Sequence, residues 1–151
     1  MSRRPIRSRG TQWAAAITAF LAGHGVKPNW ISLASIFFAL MAGIFFALPH
    51  VTEHIWLRII FLVAGAGCVQ LRLLCNLFDG MVAVEGGFKT ASGEIFNDFP
   101  DRVSDPLILI GMGYAAGCAG VLPTLGWLAA VMALLTAYTR LLGAAVGAQH
   151  Y

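Results

Sequence analysis

Four long apolar stretches limit the fold of this chain more than any other feature. They lie at about 28–48, 55–78, 98–118 and 122–146. A helix of about 20 apolar residues is long enough to cross the hydrocarbon core of a bilayer. The composition agrees, because 58% of the residues are hydrophobic and the mean hydropathy of +0.76 exceeds that of ordinary soluble domains. The sequence therefore predicts an all-α protein, a polytopic transmembrane helical bundle.

Two segments precede these stretches. Residues 1–10 contain four arginines and are not followed by the apolar core of a signal peptide. We interpret them as a basic cytoplasmic arm at an anionic lipid surface; nothing downstream supports a nucleic-acid arm, and we expect no nucleic-acid partner. Residues 11–24 are too few to span, so they predict an interfacial amphipathic helix with Trp13, Ile17, Phe20 and Leu21 on one side. His24 fits an interfacial polar group.

The segment 76–105 carries almost all of the negative charge. Six of the seven acids lie in it: Asp79, Glu85, Glu94, Asp98, Asp101 and Asp105. Ionisable groups beside apolar spans are costly, which makes a cation site the functional hypothesis and a polar loop the alternative. Asn76 and Asp79 share one helix face, and the acids from Glu94 to Asp105 fall within a sector of about 60° on a second helix. Oxygen ligands from two helix ends suit Mg²⁺-like ions and a pyrophosphate substrate.

The same segment follows a longer pattern: D-x-x-D-G-x-x-A-R, eight variable residues, then G-x-x-x-D-x-x-x-D. In this pattern the chain resembles the CDP-alcohol phosphotransferase family, membrane enzymes that build phospholipid head groups. Five of the eight positions match without a gap, and the departures are Asn76, Asn97 and Val84; the eight residues are Asn76, Asp79, Gly80, Ala83, Val84, Gly93, Asn97 and Asp101. The run PNWIS, residues 28–32, is also similar to the family's P-N-x-(I/V)-(S/T) element.

The resemblance implies a function and a set of site residues. The enzyme would transfer a substituted phosphate group from a CDP-linked donor, CDP-diacylglycerol or a CDP-alcohol, to an alcohol acceptor and release CMP, in phospholipid biosynthesis. Asp101 would take the proton of the alcohol. Mg²⁺ or Mn²⁺ would be held by Asn76, Asp79, Asn97 and Asp101.

The resemblance also suggests nucleotide contacts, each with a plainer alternative. Gly80, Ala83 and Gly93 would border the nucleotide, although the glycines could simply form a turn. Asn29 would contact CDP or cap a helix. Arg140 would contact phosphate or anchor the helix at the interface.

The departures from the pattern keep other functions open. Each Asp-to-Asn difference removes a negative charge and lowers the expected affinity for a divalent ion. The chain is therefore either an active, divergent enzyme or a catalytically silent relative that binds nucleotide or lipid. A small cation or proton transporter is a further alternative, since transporters also use carboxylates inside membranes. Clustering of the acids at one face argues against that alternative.

The topology follows from counting spans. Four spans place the arm, the acidic segment and the C-terminus on the cytoplasmic side of the membrane, the inner membrane if the protein is bacterial. The family usually has six spans, so we expect residues 27–151 to form a truncated transmembrane domain.

Three further expectations concern contacts between and along the helices. The pairs Gly113/Gly117 and Gly143/Gly147 permit close helix contact within the bundle or in a homodimer. Arg72 lies deep in a span and needs an acidic partner, Asp105 or Glu85. His50 and His54 have a metal-binding spacing only if they lie on a helix, and the cysteines fit free thiols.

Overall fold

A computed structural model describes residues 11–85 and 93–147; at 85 and 93–97 it describes the backbone only. Five α-helices follow one another: α1 (Gln12–Gly23), α2 (Pro28–Ala47), α3 (Ile55–Glu85), α4 (Gly93–Ala116) and α5 (Val121–Ala145), with a 3-10 turn (Leu48–Val51) between α2 and α3. No strand occurs in the described ranges. The predicted all-α bundle is confirmed.

The helix ends follow local chemistry at most positions. Pro28 occupies the first turn of α2, where its missing N–H has no partner to lose. Gly120, with φ of +79°, directly precedes α5. The predicted ends near Phe78 for the second span and Asp98 for the third were wrong, because α3 continues to Glu85 and α4 begins at Gly93. Tertiary packing of the last turns of α3 overrides the weak helix preference of Gly80.

Three helical segments are long and apolar enough to cross a membrane: Pro28–Val51, Ile55–Val84 and Val121–Ala145. They correspond to the first, second and fourth predicted spans. The helix α4 has 24 residues but is not among these segments, because Asp98, Asp101, Arg102 and Asp105 charge its first half. Its apolar part is confined to 106–116. Three helices of this length and hydropathy indicate a membrane protein.

Small residues bring the helices together. The helix α2 packs between α3 and α4, and α4 packs between α2 and α5. A Cβ on Gly43 would lie 2.6 Å from the Leu107 carbonyl oxygen, and one on Gly113 would lie 2.8 Å from the Gly126 Cα. The helix α4 is therefore held in the centre by backbone-to-backbone contact. Gly113 makes its close contact inside the bundle.

The helix α1 lies against the last turns of α3. Ala14 is fully buried in a cluster with Phe78 and Val82, while Trp13 packs edge-on against the Phe78 ring. Phe20 points outward with 63% of its surface exposed. Leu21 packs against the same cluster, whereas Ile17 and Phe20 are exposed. The helix therefore carries apolar residues on both sides.

All four tryptophans of the chain are exposed: Trp13, Trp30, Trp56 and Trp127. Trp13 and Trp30 lie near the end of the bundle where α2 begins and α3 ends. Trp56 and Trp127 lie near the opposite end, where α3 and α5 begin. Aromatic residues at both ends of an apolar bundle are typical of the two membrane–water interfaces.

Candidate functional site

Arg72 joins α3 to α4 at the end of the bundle where the acids lie. Its Nη2 donates to Asp101 Oδ1 at 2.7 Å and to Asp105 Oδ1 at 2.9 Å. Asn76 Nδ2 donates to the same Asp101 oxygen at 2.6 Å. We call these four residues the Arg72 cluster. The predicted partner Asp105 is confirmed and Asp101 is a second one, whereas the side chain of Glu85 lies outside the described residues.

The spacing of the sequence explains the cluster. Arg72 and Asn76 are four residues apart on α3, and Asp101 and Asp105 are four apart on α4, so each pair occupies one helix face. The Arg72 side chain is 9% exposed, and a buried charge of this kind is stable only when it is paired. Asp98 instead pairs with Arg102 of its own helix at 2.9 Å. Asp101 and Asp105 therefore share one face of α4, as predicted, and both pair with Arg72. Asp98 pairs with Arg102 and does not contact Arg72.

A second contact links α3 to α2. Ser32 Oγ donates to Asp79 Oδ2 at 2.9 Å, and each residue is only 4% exposed. Ser32 is the last residue of PNWIS, and the pair spans 47 positions of sequence. Sequence reasoning missed Ser32 and chose Asn29. A usable signal was present, since Ser32, Ser35, Ala39 and Ala42 form a stripe of small residues on one face of α2.

The candidate residues around this contact differ in position. Asn29 is exposed in the first turn of α2, whose N-cap is Lys27 and has no side-chain cap hydrogen bond. The capping interpretation of Asn29 was therefore wrong, and its nucleotide contact stays a prediction. Gly80 is buried inside α3, so the turn interpretation was wrong for it, and Ala83 is half-buried one turn later.

The remaining candidates lie on α4 and α5. Gly93 is the first residue of α4. Asn97 also belongs to α4, but its side chain is not among those described. Arg140 is exposed on α5, and no hydrogen bond or ion pair links it to a described acid. Its role, as phosphate contact or interfacial anchor, stays a prediction.

Buried hydroxyl groups lie next to the acids. Ser35 and Ser104 are fully buried, and neither hydroxyl has a hydrogen-bond partner among the described residues. The contacts of Ser32 with Asp79 and of Phe46 with Gly65 set an antiparallel register that places Ser35 level with Asn76. Buried polar groups without partners are rare in folded proteins. The described interior of the bundle therefore contains two buried hydroxyl groups without a described partner.

The predicted metal ligands offer few charges. Within the described part of the chain, no group of three or more His, Cys, Asp or Glu side chains could hold a metal ion. The predicted set has two carboxylates, Asp79 and Asp101, and the amide of Asn76. Asp101 Oδ2 and Asn76 Oδ1 make no hydrogen bond to any described residue, and such hard oxygens suit Mg²⁺ or Mn²⁺. Binding of Mg²⁺ or Mn²⁺ by these residues stays a prediction. His50 and His54 do not share an α-helix.

Comparisons were made with protein-family models, with curated proteins and with solved structures. None of the three finds a match to this chain. The resemblance to the CDP-alcohol phosphotransferase family therefore depends only on the sequence pattern of residues 76–101 and 28–32 of this chain.

Proposed function

We propose that the chain is a divergent CDP-alcohol phosphotransferase. It would transfer a substituted phosphate group from CDP-diacylglycerol or a CDP-alcohol to an alcohol, with release of CMP, in phospholipid biosynthesis. The observation that carries the proposal is the convergence of distant parts of the resemblance. PNWIS contacts Asp79 through Ser32, and Asn76 contacts Asp101 across 25 residues of sequence.

Asp101 is suited to the role of general base. Its Oδ1 accepts two N–H groups, from Arg72 and Asn76, which fix the carboxylate. Burial raises the pKa of the Asp101 carboxyl, and the Arg72 charge and the Asn76 hydrogen bond offset that rise only in part. Its Oδ2 has two lone pairs, of which one would hold the metal ion and the other would accept the proton of the acceptor alcohol. The alcohol oxygen would then bond to the phosphorus while the bond from phosphorus to the CMP oxygen breaks, so that CMP leaves.

Asp79 and Asn76 would orient the donor. Ser32 fixes the Asp79 carboxylate, and the Asn76 carbonyl oxygen lies on the same helix one turn earlier. A bound Mg²⁺ or Mn²⁺ would neutralise the negative charge of the diphosphate. Asn29 and Arg140 are further proposed contacts for the nucleotide and its phosphates.

The site would face the cytoplasm at the surface of the inner or cytoplasmic membrane. It lies at the end of the bundle that also carries α1, with Trp13 and Trp30 exposed beside it. A lipid donor or acceptor could remain in the bilayer while soluble CMP leaves into the cytoplasm. The bilayer, a CDP-linked donor and an alcohol acceptor are the proposed partners, and a homodimer is compatible with the exposed apolar faces.

CMP release from CDP-diacylglycerol or a CDP-alcohol tests the proposal. Release should require Mg²⁺ or Mn²⁺, and Asp101→Asn should lower it by about 10²–10⁴-fold, the usual contribution of a general base. Asp98→Asn is the matched control, because it removes an equal charge from the same helix, and Asp98 is paired with Arg102 instead of a residue of the Arg72 cluster. Release that ignores the metal, or equal losses in the two variants, would reject the proposed enzyme.

A catalytically silent relative is the second candidate. It is favoured by the Arg72 cluster itself, in which Asp101 is already ion-paired and Asn76 presents an N–H group to it. Binding of CDP by the purified protein without any CMP release from the CDP-linked donors would identify this function.

A further inference from the structure

Arg72 is a residue of the site that the family pattern does not contain. One of its nitrogens, Nη2, lies between two carboxylates, 2.7 Å from Asp101 and 2.9 Å from Asp105. Its Nε is buried and has no hydrogen-bond partner in the described ranges. A guanidinium does not lose its proton in proteins, so this positive charge is permanent.

The charge balance of the site follows from Arg72. The described acids that face it or lie beside it are Asp79, Asp101 and Asp105, and Asp98 is balanced by Arg102. Three carboxylates and one guanidinium leave two negative charges, which one divalent ion neutralises. The four aspartates of the family pattern would instead carry four negative charges, enough for two such ions.

Position and charge together assign a role to this arginine. We propose that Arg72, which lies between Asp101 and Asp105, is the fixed cation of the site and takes the place of a second metal ion. The site then binds at most one divalent ion, through Asp79, Asn76 and the second oxygen of Asp101. This inference rests on the proposed metal-dependent function and defines its stoichiometry. Arg72 is accordingly a positioning residue that acts through Asp101.

Mn²⁺ binding to the full chain in detergent tests the inference, with electron paramagnetic resonance as the readout. The wild-type chain should bind no more than one Mn²⁺, with the six-line spectrum of an isolated ion. Arg72→Gln should bind Mn²⁺ roughly tenfold more tightly or take up a second ion, because charges of +2 and +1 about 6 Å apart repel by about that factor even in water-like surroundings. Arg72→Lys keeps the charge and should bind like the wild type.

Arg58→Gln is the matched control. Arg58 lies on the same helix near its opposite end, where it donates to the Thr52 carbonyl, and its loss changes the net charge equally. Its Mn²⁺ binding should equal that of the wild type. A spin-coupled Mn²⁺ pair in the wild type, or no difference between Arg72→Gln and Arg58→Gln, would overturn the inference. If Arg72→Gln does not fold, the wild-type stoichiometry decides alone: one ion or none supports the inference and two reject it.

The outcomes separate this inference from the proposed reaction. Mn²⁺-dependent CMP release by the wild type, with unchanged Mn²⁺ binding in Arg72→Gln, would keep the transferase and reject the fixed cation. Gain of Mn²⁺ binding in Arg72→Gln, with no CMP release by the wild type, would keep the fixed cation and reject the transferase.

Discussion

Two serines one turn apart on α2 allow a controlled test of the contact between α2 and α3. Ser32 donates to the Asp79 carboxylate at 2.9 Å, while the Ser35 hydroxyl has no partner among the described residues. A hydrogen bond to a buried charged group contributes about 1.5–3 kcal/mol to stability. Ser32→Ala should therefore destabilise the protein by about 2 kcal/mol. Ser35→Ala removes a buried hydroxyl that is not hydrogen-bonded and should change stability by less than about 0.5 kcal/mol, or raise it.

Thermal unfolding in detergent, followed by circular dichroism at the helical minimum, measures both effects. For a chain of this size, 2 kcal/mol corresponds to a fall in Tm of about 4–8 °C. The two variants lose the same atom from the same residue type on the same buried face, so general effects of the Ser-to-Ala change cancel. Equal losses of Tm for Ser32→Ala and Ser35→Ala would refute the assigned role of the Ser32–Asp79 contact.

Two further predictions concern the packing and the surroundings of the bundle. Gly43→Ala should destabilise by about 1–3 kcal/mol, because its Cβ would meet the Leu107 carbonyl oxygen. Gly67→Ala, whose Cβ meets nothing within 4 Å, should instead stabilise by up to about 1 kcal/mol, and equal Tm values for the two variants would contradict the packing of α4 on α2. In vesicles, lipids brominated near the head group should quench fluorescence of the exposed Trp56 and Trp127 more than lipids brominated near the chain end, and stronger quenching by the deeper label would contradict an interfacial position.

Much of the fold could be predicted from hydropathy, and the errors have a physical cause. The ends of α1, α2 and α5 fall within a residue or two of the predicted positions, and Pro28 and Gly120 lie at the starts of α2 and α5. The ends of α3 and α4 were misplaced by several residues. Gly80 and the acids suggested a loop there, but packing of Phe78 and Val82 against α1 keeps the chain helical.

The candidate site was predictable in part. Helical spacing predicted that Asp101 and Asp105 share one face, and the position of Arg72 deep in an apolar span predicted an acidic partner for it. Both predictions agree with the ion pairs of Arg72. Ser32 was missed, although the stripe of small residues on α2 marks its packed face, because that stripe does not tell which of its residues contacts an acid. Contacts between helices depend on register, which hydropathy does not determine.

The central claim is that oxygens from α3 and α4 together bind a nucleotide diphosphate through a divalent ion. A crystal of the full chain soaked with CDP and Mn²⁺, with the metal located by anomalous scattering, tests it most directly. The account predicts one anomalous peak within bonding distance of both Asp79 and Asp101, with the CDP phosphates on its open side. Anomalous density away from these two carboxylates, or CDP bound with no metal beside them, would contradict it.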